Sequence, residues 1–151
     1  NNYSILRTNV VYGKSTTGKS DFVNWVVDSL EENKEINLIE GQWGNPTFAQ
    51  DIALAVWKTI VKNEKGIFNI GGADYVNRYQ FGKIIAEVFN LNPDLILPMQ
   101  TDKLVQKAKR PEKGGLVAHK AETRLGIKFA NLREGLTAYR YSLRSEGYYK
   151  I

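Results

Sequence analysis

Gly13, Gly18, Lys19 and Ser20 fall at the spacing G-x-x-x-x-G-K-[ST], with the apolar stretch 9–12 before them and an amphipathic segment, residues 20–30, after them. In that context a glycine-rich turn presents backbone N–H groups to phosphate oxygens, the lysine reaches the outer phosphates and the serine hydroxyl binds Mg²⁺. Phosphoryl chemistry also needs an aspartate at the end of a second buried strand to orient the metal. The only counterpart is Leu38-Ile39-Glu40, a glutamate after a very short strand. The plainer reading is a polar strand-to-helix turn whose Ser20-Asp21 pair starts a helix.

Tyr79 and Lys83 form a second pair with chemical content. A lysine one helical turn beyond a tyrosine lowers the phenol's pKa, so the phenol can exchange a proton with an alcohol or carbonyl. No Gly-rich loop precedes this pair, and the plainer reading is a core-facing aromatic beside a solvated lysine on one helix. Lys103, Lys107, Lys109, Arg110 and Lys113 cluster in a chain of net charge +5. A basic patch supplies phosphate affinity, but no aromatic interleaving or nucleic-acid module accompanies it, so nucleic acid is not an expected partner. Cysteine is absent and His119 is the one histidine, which rules out disulfides, thiolate catalysis and Cys- or multi-His-built metal sites. No apolar run approaches the ~18 residues of a membrane span. The expectation is a cytoplasmic protein with no membrane contact and no structural metal.

The elements that must position these residues alternate between strand and helix, the pattern of an α/β sheet. Residues 5–12 read as a buried strand, apolar on both faces. Phe22, Val23, Val26, Val27 and Leu30 recur at helical spacing within residues 20–30. Residues 36–39 form a short strand, and Thr47 with Gln50 predicts a capping box for a helix reaching Val61. A third strand runs over residues 66–72, a helix over 77–89 and an extended segment over 95–99. Residues 103–115, basic and broken by Pro111 and two glycines, read as an irregular loop. Helices over 120–125 and 131–143 close the chain, the second capped by Asn131 and Glu134. A chain of 151 residues supports one domain, and because residue 1 is already next to a strand, the chain reads as a fragment.

Several ordered segments resemble the extended short-chain dehydrogenases/reductases, and most closely their dTDP-4-dehydrorhamnose reductase group. Leu6-Arg7-Thr8-Asn9-Val10-Val11-Tyr12-Gly13 is similar to that group's "LRT-x-x-V-Y-G" strand. Gly44-Asn45-Pro46-Thr47 with Asp51-Ile52-Ala53 resembles its "G-x-P-T…D-[IL]-A" segment, and residues 66–72 its "G-[IV]-[YF]-[HN]" strand. Tyr79-Gln80-Phe81, Arg110-Pro111 and Leu125-Gly126-Ile127 match later landmarks. The likeness covers nearly the whole chain but only the C-terminal half of the family's usual length.

The resemblance implies a single α/β fragment, residues 1–151, in which 1–19 are the last part of the nucleotide-binding sheet and 20–151 the substrate-binding part. The N-terminal Rossmann half is expected upstream, with the Gly-rich loop and the catalytic Tyr-x-x-x-Lys pair, so no catalytic residue is expected in this chain. The implied reaction is reduction of a 4-keto deoxysugar nucleotide by NADP or NAD, bound mainly by that absent half. Thr8 and Asn9 should border the nicotinamide, Asn9 and Val10 the sugar, and Arg110 the diphosphate. Expected partners are a nucleotide-sugar substrate, the missing half and, in the family's manner, a second copy. The family usually carries a tryptophan where this chain has Val10. Two other readings stay open: a P-loop ATPase or kinase using residues 13–20, and a non-catalytic regulatory relative of the reductase fold.

Overall fold

The computed structural model describes residues 2–14, 21–100 and 110–145. Its elements run β1 (Ser4–Arg7), β2 (Val11–Tyr12), α1 (Phe22–Glu31), β3 (Ile36–Ile39), β4 (Trp43–Gly44), β5 (Thr47–Phe48), α2 (Ala49–Val61), β6 (Gly66–Asn69), β7 (Val76–Asn77), α3 (Arg78–Phe89), β8 (Ile96–Met99), α4 (His119–Leu125) and α5 (Leu132–Ser145). Four strand pairs result: β1 with β6, β2 with β5 and β3 with β8 are parallel, and β4 with β7 is antiparallel.

The apolar side chains separate into two packed groups. In one, Val23, Val26, Val27 and Leu30 of α1 meet Phe81 and Ile85 of α3, Leu136 and Tyr139 of α5, and the sheet residues Leu38 and Ile96. In the other, Leu6 of β1 and Phe68 of β6 lie beneath Ile52 and Ala55 of α2 and Ala121 and Leu125 of α4. The period-2 alternation of β1 and β6 sends Ile5 and Ile67 to the opposite face. Ile5 there is 44% exposed.

The sequence suggested one strand through residues 5–12, but β1 ends at Arg7 and β2 begins at Val11. Val10 adopts φ 44°, which a β-branched residue reaches only under strain. Nor are both faces of this segment buried, since Ile5 and Val11 stay exposed. Thr47 is not the cap of α2. That position belongs to Phe48, with no side-chain cap bond, while Thr47 is fully buried and bonded across the chain. The Asn131–Glu134 capping box is present in both directions. An equivalent box, Asn77 with Gln80, starts α3.

Candidate functional site

The break between β1 and β2 turns the backbone of Asn9 and Val10 into a cleft, and a polar lattice holds it there. Thr47 N–H donates to Val10 C=O at 3.0 Å, and the Thr47 hydroxyl lies 3.2 Å from Asn9 C=O and accepts from Gly72 N–H at 3.2 Å. Asn45 is buried and joins three segments. Its Nδ2 donates to Gly72 C=O and Asp74 C=O, each at 3.1 Å, and its Oδ1 accepts from Leu116 N–H at 2.8 Å. Gly72 permits this closeness, because a Cβ there would sit 2.1 Å from Pro46 C=O.

The loop carrying Arg110 is clamped to β4. Trp43 N–H donates to Glu112 C=O at 2.8 Å, and Gly114 N–H donates to Trp43 C=O at 2.9 Å. Asn9 Nδ2 donates to Gly114 C=O at 2.6 Å, closing the ring from the other side. Two adjoining cavities result. One, of about 160 Å³, is lined by Asn9, Val10, Trp43 and Pro111. The other, of about 230 Å³, is lined by Phe22, Asn37, Leu38 and Met99. Gln42, Arg78 and Arg110 border both.

The polar groups facing this cleft are unevenly satisfied. Asn9 Oδ1 and Gln42 Nε2 are buried without a hydrogen-bond partner, an arrangement that costs about 1–3 kcal/mol per group unless a ligand or water completes it. Burial, and then the charge of Arg110, lowers the pKa of Arg78. Among the described residues neither arginine has a carboxylate partner: the ion pairs are Lys34–Glu32, Arg124–Glu64 and Arg133–Glu87, all elsewhere. Two arginines and a glutamine with an unpaired amide donor line one cleft, a set suited to an anionic, phosphate-bearing ligand.

Asn9, Val10 and Arg110 are thus brought together, whereas Thr8 is exposed and lines neither cavity. Sequence reasoning did not single out Gln42, Trp43 or Arg78. Gln42 and Trp43 directly precede the Gly44-Asn45-Pro46-Thr47 segment. Arg78 had one indirect signal, since the Asn77–Gln80 box places it in the first turn of α3.

The other two motifs look different in three dimensions. Of the P-loop pattern, residues 15–20, Gly18, Lys19 and Ser20 among them, lie outside the described residues. Gly13 N–H donates to Asp21 Oδ2 at 2.9 Å, and Asp21 Oδ1 caps Asn24 N–H at 2.9 Å. A carboxylate therefore occupies the end of α1 that a phosphate would approach, and like charges repel. Lys83 donates to Pro93 C=O at 2.7 Å and lies over the Tyr79 ring, 5.3 Å from its centroid. That pair ties α3 to the turn before β8. Of the basic cluster, Lys103, Lys107 and Lys109 lie outside the described residues, while Arg110 and Lys113 are exposed. His119 is the exposed first residue of α4. No group of residues suited to a metal ion is found among the described residues, and no helix among them is long and apolar enough to cross a membrane.

Residues 1–144 match the family described as RmlD substrate binding domain. The chain is 31% identical over 136 residues to the spore coat polysaccharide biosynthesis protein SpsK of Bacillus subtilis, covering 90% of this chain and 46% of that protein. It is 32% identical over 130 residues to methionine adenosyltransferase 2 subunit beta of Rattus norvegicus, covering 82% and 38%. The crystal structure of dTDP-4-dehydrorhamnose reductase from Bacillus anthracis in complex with NADP superimposes with a TM-score of 0.85 at 24% identity, over 94% of this chain and 49% of that one. The chain thus spans less than half the length of these proteins.

Proposed function

This chain belongs to the RmlD substrate binding domain family, the C-terminal part of the extended short-chain reductase fold, and from that premise we propose that it is the substrate-binding half of an NAD(P)-dependent oxidoreductase acting on a 4-keto deoxysugar nucleotide. The observation that carries the reading is the cleft where Asn9, Val10 and Arg110 converge, lined by residues with an unpaired amide oxygen and an unpaired amide donor. Arg110, exposed at the mouth, offers a planar fork to the diphosphate. Asn9 presents a free carbonyl oxygen to a sugar hydroxyl, and Val10 forms the adjoining apolar wall. NADP or NAD would be held mainly by the other half of the intact protein, with Thr8 and Asn9 at its border.

In this reading β1 and the residues up to 19 continue the nucleotide-binding sheet, and residues 20–151 form the substrate side. The open face supports a partner half. Among the described residues β1 pairs with β6 alone, and an unpaired strand edge readily accepts another strand. Trp57, Ile60 and Val61 also project from α2, Ile60 being 71% exposed. The proton donor and hydride acceptor geometry then come from both halves, this one binding and orienting the sugar. The intact protein is cytoplasmic and pairs as a homodimer in this proposal.

The test is NADPH oxidation by the intact protein with a dTDP-4-keto-deoxysugar. Turnover is expected, with Arg110→Lys raising KM for the sugar nucleotide about tenfold and leaving KM for the cofactor within about twofold. These 151 residues alone should show no turnover. Turnover by the isolated chain, lost on Tyr79→Phe, would overturn the assignment of roles. Similarity to methionine adenosyltransferase 2 subunit beta favours one second reading, a non-catalytic regulatory relative. Tight ligand binding by the intact protein without turnover of any keto sugar would select it.

A further inference from the structure

Arg78 occupies an unfavourable place for a cation. It is the first residue of α3, at the positive end of that helix's dipole. Its guanidinium is half-buried, and the charge of Arg110 acts on it from a separate loop. Its one described stabilising contact is the face of Phe22, 4.7 Å from the ring centroid, and such a contact offsets only part of the burial of a charge. Gln42 lines the same two cavities, and its Nε2 is buried and without an acceptor. Three donor groups from three segments, β3–β4, α3 and the loop after residue 109, therefore border the boundary between the two cavities. No carboxylate among the described residues pairs with either arginine.

We propose that Arg78 and Gln42 complete, with Arg110, a receptor for a diphosphate bridge, one guanidinium serving each phosphate and the Gln42 amide donating to a bridging-side oxygen. The inference rests on the sugar-nucleotide reading above and deepens it: the cleft selects two linked phosphates over one. Each phosphate of a diphosphate diester carries one negative charge, so two guanidiniums lining the same cleft match it in number. A monophosphate concentrates its charge on one group and leaves one guanidinium unopposed. Phe22 holds the Arg78 plane from behind, which keeps the fork oriented.

The experiment is calorimetric titration of the intact protein with thymidine diphosphate, thymidine monophosphate and inorganic pyrophosphate, with thermal melts as the control for folding. Arg78→Gln is expected to weaken thymidine diphosphate about tenfold or more and the monophosphate less than about threefold, collapsing the ratio between them. Arg78→Lys should recover part of the affinity, since charge returns without the fork. Gln42→Ala, which leaves Arg78 on Phe22, should reduce the same ratio by a few-fold and serves if Arg78→Gln does not fold. An unchanged ratio in a folded Arg78→Gln protein overturns the proposal while leaving Arg110 and the sugar-nucleotide reading intact. Pyrophosphate binding that depends on Arg78, without binding of any nucleotide sugar, supports the receptor and overturns that reading. Failure of the unaltered protein to bind either diphosphate overturns the receptor itself.

Discussion

The start of α1 and the cleft beside β4 both offer donors near a helix N-terminus, yet what those donors meet is opposite. At the start of α1, Gly13 N–H and Asn24 N–H are both taken by the carboxylate of Asp21. The negative character extends inward: burial first, then Asp21, push the Tyr139 phenol up to about 12, with Asp28 adding to the rise. At the cleft, Arg78 is pushed the other way by burial and by Arg110, and the nearby amide of Gln42 has no partner. The start of α1 follows a phosphate-binding signature and has an anion already in place. The cleft is assembled from several short segments far apart in the chain and has cationic donors to spare. A motif counts donors along the chain, whereas binding depends on which donors folding leaves unused.

The change expected to erase the cleft with the largest effect is Asn45→Ala. It strands Gly72 C=O in a buried setting and Asp74 C=O and Leu116 N–H in part-buried ones, for a loss of about 2–4 kcal/mol in chemical unfolding. Diphosphate affinity should fall with it, because the loop bearing Arg110 loses one of its anchors. A loss under about 1 kcal/mol would mean that β4 and β7 hold the cleft without this residue.

A smaller effect sharpens the α1 side of the contrast. Tyr139 keeps its proton to about pH 12 in the folded protein, whereas an unfolded tyrosine ionises near 10. The folded state therefore binds the extra proton between those values, and stability falls as pH rises from about 10 through 12. The expected loss is on the order of 1–2 kcal/mol, and Tyr12, raised further by burial and by Asp51 and Asp74, acts in the same direction. Absorbance titration of the phenolates checks it, and Asp21→Asn should lower the Tyr139 midpoint. An unmoved midpoint would show that burial alone sets it.

Lys19→Ala should have the smallest effect, within about 0.5 kcal/mol of the parent stability, and calorimetry should show no Mg-ATP binding before or after the change. Micromolar Mg-ATP affinity abolished by this substitution would break the contrast and restore residues 13–20 as a nucleotide site.

Much of the scaffold was legible because it depends on local periodicity. The 3.6-residue spacing of Val23, Val26, Val27 and Leu30 predicted a helix, and these residues are the buried face of α1. Asn131 and Glu134 are three residues apart and cap one another, so their role needs no distant partner. The break at Val10 was not legible, since β-branched neighbours favour a continuous strand while contacts with Thr47 hold the residue at positive φ. Thr47 looked like a cap for the same reason: its distant acceptor at Asn9 is invisible in a local pattern.

The sequence by itself determined the alternation of strands and helices, the family likeness and three residues of the cleft, Asn9, Val10 and Arg110. The alternation follows from spacing, and the three residues from the family likeness that the short ordered motifs carry. Only the tertiary structure decided that Asp21 takes the N–H groups of Gly13 and Asn24, that Thr8 stays outside the cleft and that Arg78 and Gln42 line it with Arg110. The physical reason is that a side chain's charge is set by its letter, but whether that charge is neutralised depends on neighbours far away in the chain.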